Sequence, residues 1–311
     1  MEYNVLQEQD CLDIAKAICT TDWDENDMLI CGDYTISQFK GTAFASDYQC
    51  YKIESKKQHN PSEKESQKFV AKIATVSEIE ILKLLKARGF PVPNLYYTLK
   101  SNKNKILLIE EFMRGEELYG FKEEEPWLRT IKELAKIHCN FINLNDTELK
   151  QIEEIADTFA YNKKLGKVVD VVKTQKSWEG FAILAFKRMK NAKKTLVHGD
   201  MFPTNIIVDR ENVSFIDWAN SCIFAYSMDI GRITSIIDST MFKPMCPCPQ
   251  KVIEEYYNEI KDALEINYED YLKDVHAAQF IELIWHYHPS AANIYSNTVK
   301  QKIDEIVSLY F

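Results

Sequence analysis

The segment Leu196-Val197-His198-Gly199-Asp200-Met201-Phe202-Pro203-Thr204-Asn205-Ile206-Ile207-Val208-Asp209, followed by Val213-Ser214-Phe215-Ile216-Asp217-Trp218-Ala219, decides how the chain is read. Two short β-like runs, 205–208 and 213–216, flank the turn Asp209-Arg210-Glu211-Asn212. The segment supplies a carboxylate on a loop (Asp200), an amide five residues later (Asn205) and a second carboxylate at a strand end (Asp217). Phosphoryl transfer needs such parts. One carboxylate orients and deprotonates the acceptor hydroxyl, while an amide oxygen and a second carboxylate hold Mg²⁺ against the nucleotide phosphates. Asp and Asn also favour plain turns, so it is the joint spacing that points to chemistry.

Upstream, the chain changes character several times. Val5, Leu6, Leu12, Ile14, Ala15 and Ile18 give residues 1–20 an amphipathic helical pattern. Leu29-Ile30-Cys31, Thr35-Ile36-Ser37, Gln49-Cys50-Tyr51-Lys52-Ile53 and Phe69-Val70-Ala71-Lys72-Ile73 read as short strands, with a charge-dense loop over 54–68. A helix is predicted over 77–87, with Ser77 as N-cap and Glu78 and Glu80 in its first turn. Arg88-Gly89 closes it, and Pro91-Val92-Pro93 prevents its continuation. Strands follow over 95–100 and 105–111, joined by the turn-like Ser101-Asn102-Lys103-Asn104. After Gly115 the pattern is mostly helical, over 127–141, 146–159, 178–193 and from about 226 to the end. A small β-rich lobe thus precedes a larger helical one, and a ligand cleft between the two is the natural expectation.

Composition narrows the classes of function. The 311 residues are 46% hydrophobic and 27% charged, values of a folded protein rather than a disordered one. A net charge of −9 argues against duplex DNA or an anionic membrane surface as main partner. No stretch approaches the ~20 apolar residues of a membrane span, and Met1-Glu2-Tyr3-Asn4 does not open a signal peptide. Of the eight cysteines, only Cys246-Pro247-Cys248 form a tight pair, so free thiols in a reducing, cytoplasmic setting are expected. Trp285-His286-Tyr287-His288 reads as a helix end or a pocket lining rather than a metal site, because no Cys or third His lies near it. Glu254-Glu255 and the acidic residues of 265–270 read as a solvated helix face.

Val70-Ala71-Lys72-Ile73 resembles the strand lysine that steadies nucleotide α/β-phosphates, and Gly41-Thr42-Ala43-Phe44-Ala45-Ser46 lies where a phosphate-covering loop belongs. Together with His198-Gly199-Asp200, Asn205, Ile216-Asp217-Trp218 and the run from Glu78 to Gly89-Phe90-Pro91-Val92-Pro93, these residues resemble the aminoglycoside phosphotransferase and choline kinase family, over about 28–240. The resemblance implies an α+β, protein-kinase-like bilobal fold. It places a nucleotide-binding lobe with a five-stranded antiparallel sheet at 1–112 and a mainly helical lobe with the catalytic loop and acceptor pocket at 113–311. Asp200 would be the catalytic base, Asn205 and Asp217 the Mg²⁺ ligands, and Lys72 the phosphate contact paired with Glu78. His198 and Asp229 would brace the catalytic loop. Gly41 and Ser46 would cover the phosphates. At the hinge the carbonyl of Glu110 and the amide of Phe112 would hold the base of ATP or GTP, with Ile109 at the back of the pocket.

The same resemblance implies a small-molecule kinase acting on an alcohol group of its acceptor. Gly199 stands where a protein kinase has Arg, Trp218-Ala219 follow the metal Asp, and no Ala-Pro-Glu segment occurs. The acidic balance leans towards an amine-bearing acceptor, of the aminoglycoside antibiotic type, with a choline, ethanolamine or methylthioribose-type metabolic kinase as the alternative. A protein kinase, or a nucleotide-binding module without turnover, ranks below both. A monomer or weak dimer, with neither nucleic-acid nor membrane partner, completes the expectation.

Overall fold

The computed structural model describes residues 6–21, 28–38, 50–56, 67–100, 106–156, 159–210, 212–288 and 293–311. The chain divides into two compact units, Met1–Arg114 and Gly115–Phe311. The first is built from α1 (Glu8–Thr20), β1 (Met28–Cys31), β2 (Tyr34–Gln38), β3 (Cys50–Ser55), β4 (Lys68–Ala74), α2 (Val76–Ala87), β5 (Leu95–Lys100) and β6 (Ile106–Glu111). Its strands form one antiparallel sheet in the order β1-β2-β3-β4-β6-β5.

Among the described residues the sheet has six strands, not the five that the resemblance implies. Residues 28–31 pair in full with β2, from Met28↔Ser37 to Cys31↔Tyr34, so they extend the sheet instead of leading into it. Period-two alternation sets its two faces. Tyr51, Ile53, Phe69, Ala71, Leu107 and Ile109 point to a core completed by Cys11, Ile14, Ala15 and Ile18 of α1. Lys68, Val70 and Lys72 alternate with them on β4 and stand on the other face. The α2 N-cap is Thr75 rather than Ser77: its hydroxyl accepts the Glu78 N–H at 3.0 Å, and Ser77 falls in the first turn.

The second unit begins with β7 (Glu116–Glu117) and continues through α3 (Glu124–Ile142), α4 (Asp146–Ile155), α5 (Phe159–Thr174) and α6 (Glu179–Asn191). Then come β8 (Lys194–Val197), β9 (Ile206–Asp209), β10 (Asn212–Phe215), β11 (Cys222–Ala225), α7 (Ser227–Ser235), α8 (Pro249–Leu264), α9 (Tyr268–His286) and α10 (Ile294–Ser308). The helix expected over 146–159 is shorter, because Ala156 turns extended (ψ 133°) after α4; no glycine or proline marks that stop in the sequence. α9 is the central helix, buried on several sides, and α5, α6, α7, α8 and α10 all pack against it. The eight cysteines are free thiols, and burial pushes Cys246 up to about 12. No described helix is long and apolar enough to cross a membrane.

The α7–α9 contact depends on a glycine. A Cβ on Gly231 would stand 2.5 Å from the Ala278 Cβ, closer than two carbons approach. Gly231→Val is expected to cost about 1–3 kcal/mol, the usual penalty of overpacking. The check is a lower urea midpoint at unchanged slope, and a midpoint equal to the parent's contradicts the packing.

Candidate active site

In the first unit the sheet register carries the chemistry. Lys72 lies opposite Leu108 and Val70 opposite Glu110, so Lys72 and Glu110 share a face as diagonal neighbours. The Lys72 ammonium is 2.7 Å from Glu78 Oε1 and 3.1 Å from Glu110 Oε1, and both carboxylates are buried. Glu80 pairs with Lys83 instead, at 2.8 Å. The Glu110 side chain is a partner that the sequence reading, which used only its carbonyl, did not find. Ile109 pairs with Ala71 and therefore faces the core under α1, on the face away from Lys72. Phe112 lies under Lys68, whose ammonium is 5.8 Å from the ring centroid. Gly41 and Ser46 lie outside the described residues.

In the second unit the loop after β8 is clamped from two sides. The backbone N–H groups of His198 and Gly199 donate to the two oxygens of Asp229, at 2.6 and 3.0 Å. Asp229, at the start of α7, is fully buried and also lies 3.3 Å from His138 Nε2. Burial raises the pKa of such a carboxyl, but the His138 hydrogen bond and charge and the loop N–H groups outweigh it and hold Asp229 below its ordinary range. His198 ties the loop to the strand beyond it: Nε2 donates to the Ile216 carbonyl at 2.9 Å, and Nδ1 accepts the Asp200 N–H at 3.3 Å. Gly199 has φ +78°, and a Cβ there would strike the Asn220 carbonyl oxygen, so the position between His198 and Asp200 requires glycine.

The β9–β10 hairpin brings the amide and the second carboxylate to one end. Ile206 pairs with Phe215, and the Ile216 N–H donates to the Asn205 carbonyl at 3.0 Å, so Asn205 and Asp217 leave the hairpin side by side. Asp217 sits in the left-handed region (φ 63°, ψ 65°), a strained conformation for a non-glycine residue. Asn205 Nδ2 donates to the Asp200 carbonyl at 3.0 Å and lies 3.4 Å from Asp200 Oδ2. With its amide nitrogen so used, Asn205 is left with Oδ1 as its oxygen donor, and Asp217 follows directly on the residue that bonds to the Asn205 carbonyl across the hairpin. A hard-oxygen pair of this kind fits Mg²⁺, which takes one or two protein ligands and fills its octahedron with phosphate and water.

Asp200 is itself half of an ion pair. Arg232, one turn after Asp229 on α7, places one guanidinium nitrogen on Asp200 Oδ1 and another on Glu282 Oε2, the latter at 2.7 Å. Lys164 of α5 binds Glu282 Oε1 at 2.7 Å and lies 3.5 Å from the Gly199 carbonyl. Arg232, Glu282 and Lys164 are all buried. Burial opposes the charge on Glu282, but Lys164 and Arg232 hold its carboxyl below the ordinary range. None of the three was singled out from the sequence. A signal was present for Glu282, a lone charge inside Phe280-Ile281-Glu282-Leu283-Ile284. Arg232 could have been found by its i,i+3 spacing from Asp229.

His286, one turn beyond Glu282, yields a pH test. Burial, with Arg232 nearby, lowers its pKa to about 4, against ~6.5 in the unfolded chain. The unfolded imidazole takes up a proton that the folded one refuses, so stability falls as pH drops from about 6.5 towards 4. His286→Gln is expected to flatten the fall of melting temperature over that window; an unchanged slope contradicts the assignment.

Residues 63–243 match the model of the phosphotransferase enzyme family, APH, and so cover more than half of the chain. No curated protein matches the sequence significantly. Among solved structures, a GDP and kanamycin complex of APH(2")-IIia superposes with a TM-score of 0.60 at 12% identity, over 98% of this chain and 100% of that one. The Plasmodium vivax ethanolamine kinase gives 0.57 at 16% identity, over 88% and 82%. The choline kinase of Cryptosporidium parvum Iowa II gives 0.57 at 14%, over 96% and 94%. The fold is that of these kinases, and the chain belongs to the APH phosphotransferase enzyme family, whose members move phosphate to an alcohol group.

Proposed function

We propose that the protein transfers the γ-phosphoryl group of ATP or GTP to a hydroxyl of a small-molecule acceptor, with Asp200 as catalytic base. The observation that carries this is the convergence of Asp200, Asn205 and Asp217 through one clamped loop and one hairpin. The acceptor oxygen forms a bond to the γ-phosphorus as the bond to the bridging oxygen breaks. The hydroxyl proton passes to Asp200, and the nucleoside diphosphate leaves. Asp200 is held for this by Arg232 on one oxygen and Asn205 near the other. Lys72, fixed by Glu78 and Glu110, meets the nucleotide phosphates. The carbonyl of Glu110 and the amide of Phe112 hold the base. Mg²⁺, when bound at Asn205 and Asp217, offsets phosphate charge.

The structural neighbours suggest two acceptor branches. One is inactivation of an aminoglycoside-type antibiotic, and the other is metabolic phosphorylation of a small alcohol. A cytoplasmic monomer or weak dimer suits the free thiols and the acidic net charge of −9.

Calorimetry with Mg·ADP and Mg·GDP tests the nucleotide half. Asp217→Asn is expected to weaken binding at least about tenfold and to remove its dependence on Mg²⁺, and Lys72→Met to weaken it by a similar factor, about 1.4 kcal/mol each. Parent-like affinity in both variants contradicts the assignment.

A further inference from the structure

We propose that the acceptor carries, beside the hydroxyl that receives the phosphoryl group, an anionic group (a carboxylate or a phosphate) held in the groove of α5 and α9 by Lys163, Lys167, His286 and His288. The inference rests on the kinase reading and specifies its substrate class. It also reverses the lean towards a cationic acceptor. A net charge of −9 describes the whole surface, whereas recognition depends on the charge close to Asp200.

That local charge can be followed residue by residue. Asp200 and Glu282 are the carboxylates of the buried network, and Arg232 and Lys164 match them one for one. An incoming amine would therefore find no uncompensated carboxylate there. Lys164 sits between two further cations on α5. Lys163 and Lys167 line a groove of about 670 Å³ with Gly166, Asp170, Trp285, His286 and His288. That volume suits a small ligand. Asp170, the carboxylate of the groove, pairs with Lys173 at 2.8 Å. Among the described residues, neither Lys163 nor Lys167 has a carboxylate partner. Their ammonium groups are held near the Trp285 indole, 5.7 and 5.4 Å from the ring centroid, and Lys167 also donates to the Trp285 carbonyl at 2.5 Å. The groove thus carries two surplus positive charges next to a neutralised catalytic network.

A second, independent observation marks the same place. His286 Nε2 is buried and makes no hydrogen bond among the described residues. Arg232 Nε, in the network behind it, is in the same state. Buried polar atoms are normally satisfied. An anionic group in the groove would meet the two lysines by charge and accept a hydrogen bond from an imidazole, while an ammonium group would be repelled by the lysines. Burial lowers the pKa of His286 and His288, which favours imidazoles that meet an anion by hydrogen bonding, and it lowers that of Lys167 as well.

The test is a titration followed at the imidazole proton signals of His286 and His288, assigned with the His286→Gln and His288→Gln proteins, with Mg·ADP present. The probes are D-ribose 5-phosphate and D-glycerate, each against its neutral counterpart, D-ribose and glycerol, with kanamycin and choline as cations. Both signals are expected to move with the anions at concentrations at least about tenfold below those needed for the neutral compounds. Response to D-glycerate but not D-ribose 5-phosphate, or the reverse, tells a carboxylate from a phosphate. Lys163→Glu with Lys167→Glu should weaken the response at least about tenfold, Lys163→Gln should weaken it less, and Lys302→Glu on α10 should not change it. Equal response to charged and neutral probes, response to the cations, or no response at all overturns the inference. Mg·ADP binding, read in the same samples, reports separately on the kinase reading.

Discussion

Asp200→Asn is expected to lower kcat by about 10³-fold, inside the 10²–10⁴ range that a positioned proton acceptor supplies. The substitution keeps the shape of the side chain and removes the charge. Arg232 retains its bond to Glu282, so the loop geometry is expected to survive. The clamp on that loop consists of backbone N–H groups on Asp229 and does not involve the Asp200 carboxylate. Mg·ADP affinity is therefore expected to stay within about threefold of the parent's, less than 1 kcal/mol. Single-turnover kinetics with calorimetry on the same protein separate the two effects. Turnover within a factor of ten of the parent's would remove Asp200 from the reaction.

Glu282→Gln is expected to cost about 3–5 kcal/mol of folding stability, the range seen when one partner of a buried ion pair is removed. The carboxylate is almost fully buried, at 1% exposure, and serves two cations, Lys164 and Arg232. Glutamine fits the space but leaves one buried positive charge unmatched. Adding Lys164→Met removes that charge, so the double variant is expected to recover part of the loss. Urea unfolding of parent, single and double variants reads this directly. A single-variant cost under about 1 kcal/mol would place the pair with solvated surface bridges and contradict the network. The linkage has the corresponding sign. With its folded pKa held below the ordinary ~4.3, Glu282 contributes stability that is present above that pH and is lost as the pH falls through the folded value.

The strands around Lys72 and the hairpin around Asn205 and Asp217 were legible because their signals are local. Alternation in Cys50–Ser55 and Lys68–Ala74, and turn residues between two apolar runs, need no distant partner to be recognised. The part of His198 and Asp229 in holding the loop after β8 was expected only through the resemblance; the contacts there are two N–H bonds to Asp229 and an imidazole that joins the Asp200 N–H to the Ile216 carbonyl. What escaped is what depends on contacts between remote segments. Lys164, Arg232 and Glu282 are separated by dozens of residues and meet because α5 and α7 pack on α9. The Glu110 side chain was missed because its partner is set by the diagonal register of β4 and β6. The stop after α4 was missed because no breaker residue marks it. The lean towards a cationic acceptor rests on a charge summed over 311 residues, whereas the anion site proposed above rests on a few lysines of one helix, whose grouping such a sum does not register.

The most direct measurement of the central claim is nucleoside-diphosphate release in the presence of Mg²⁺, with ATP and with GTP. The acceptor panel holds aminoglycosides, choline, ethanolamine, methylthioribose, D-glycerate and D-ribose 5-phosphate, and the Asp200→Ala protein serves as blank. The account predicts release that requires an acceptor, is lost in the blank, and is strongest with the anionic alcohols. Parent and Asp200→Ala proteins releasing diphosphate at the same rate with every acceptor would contradict it.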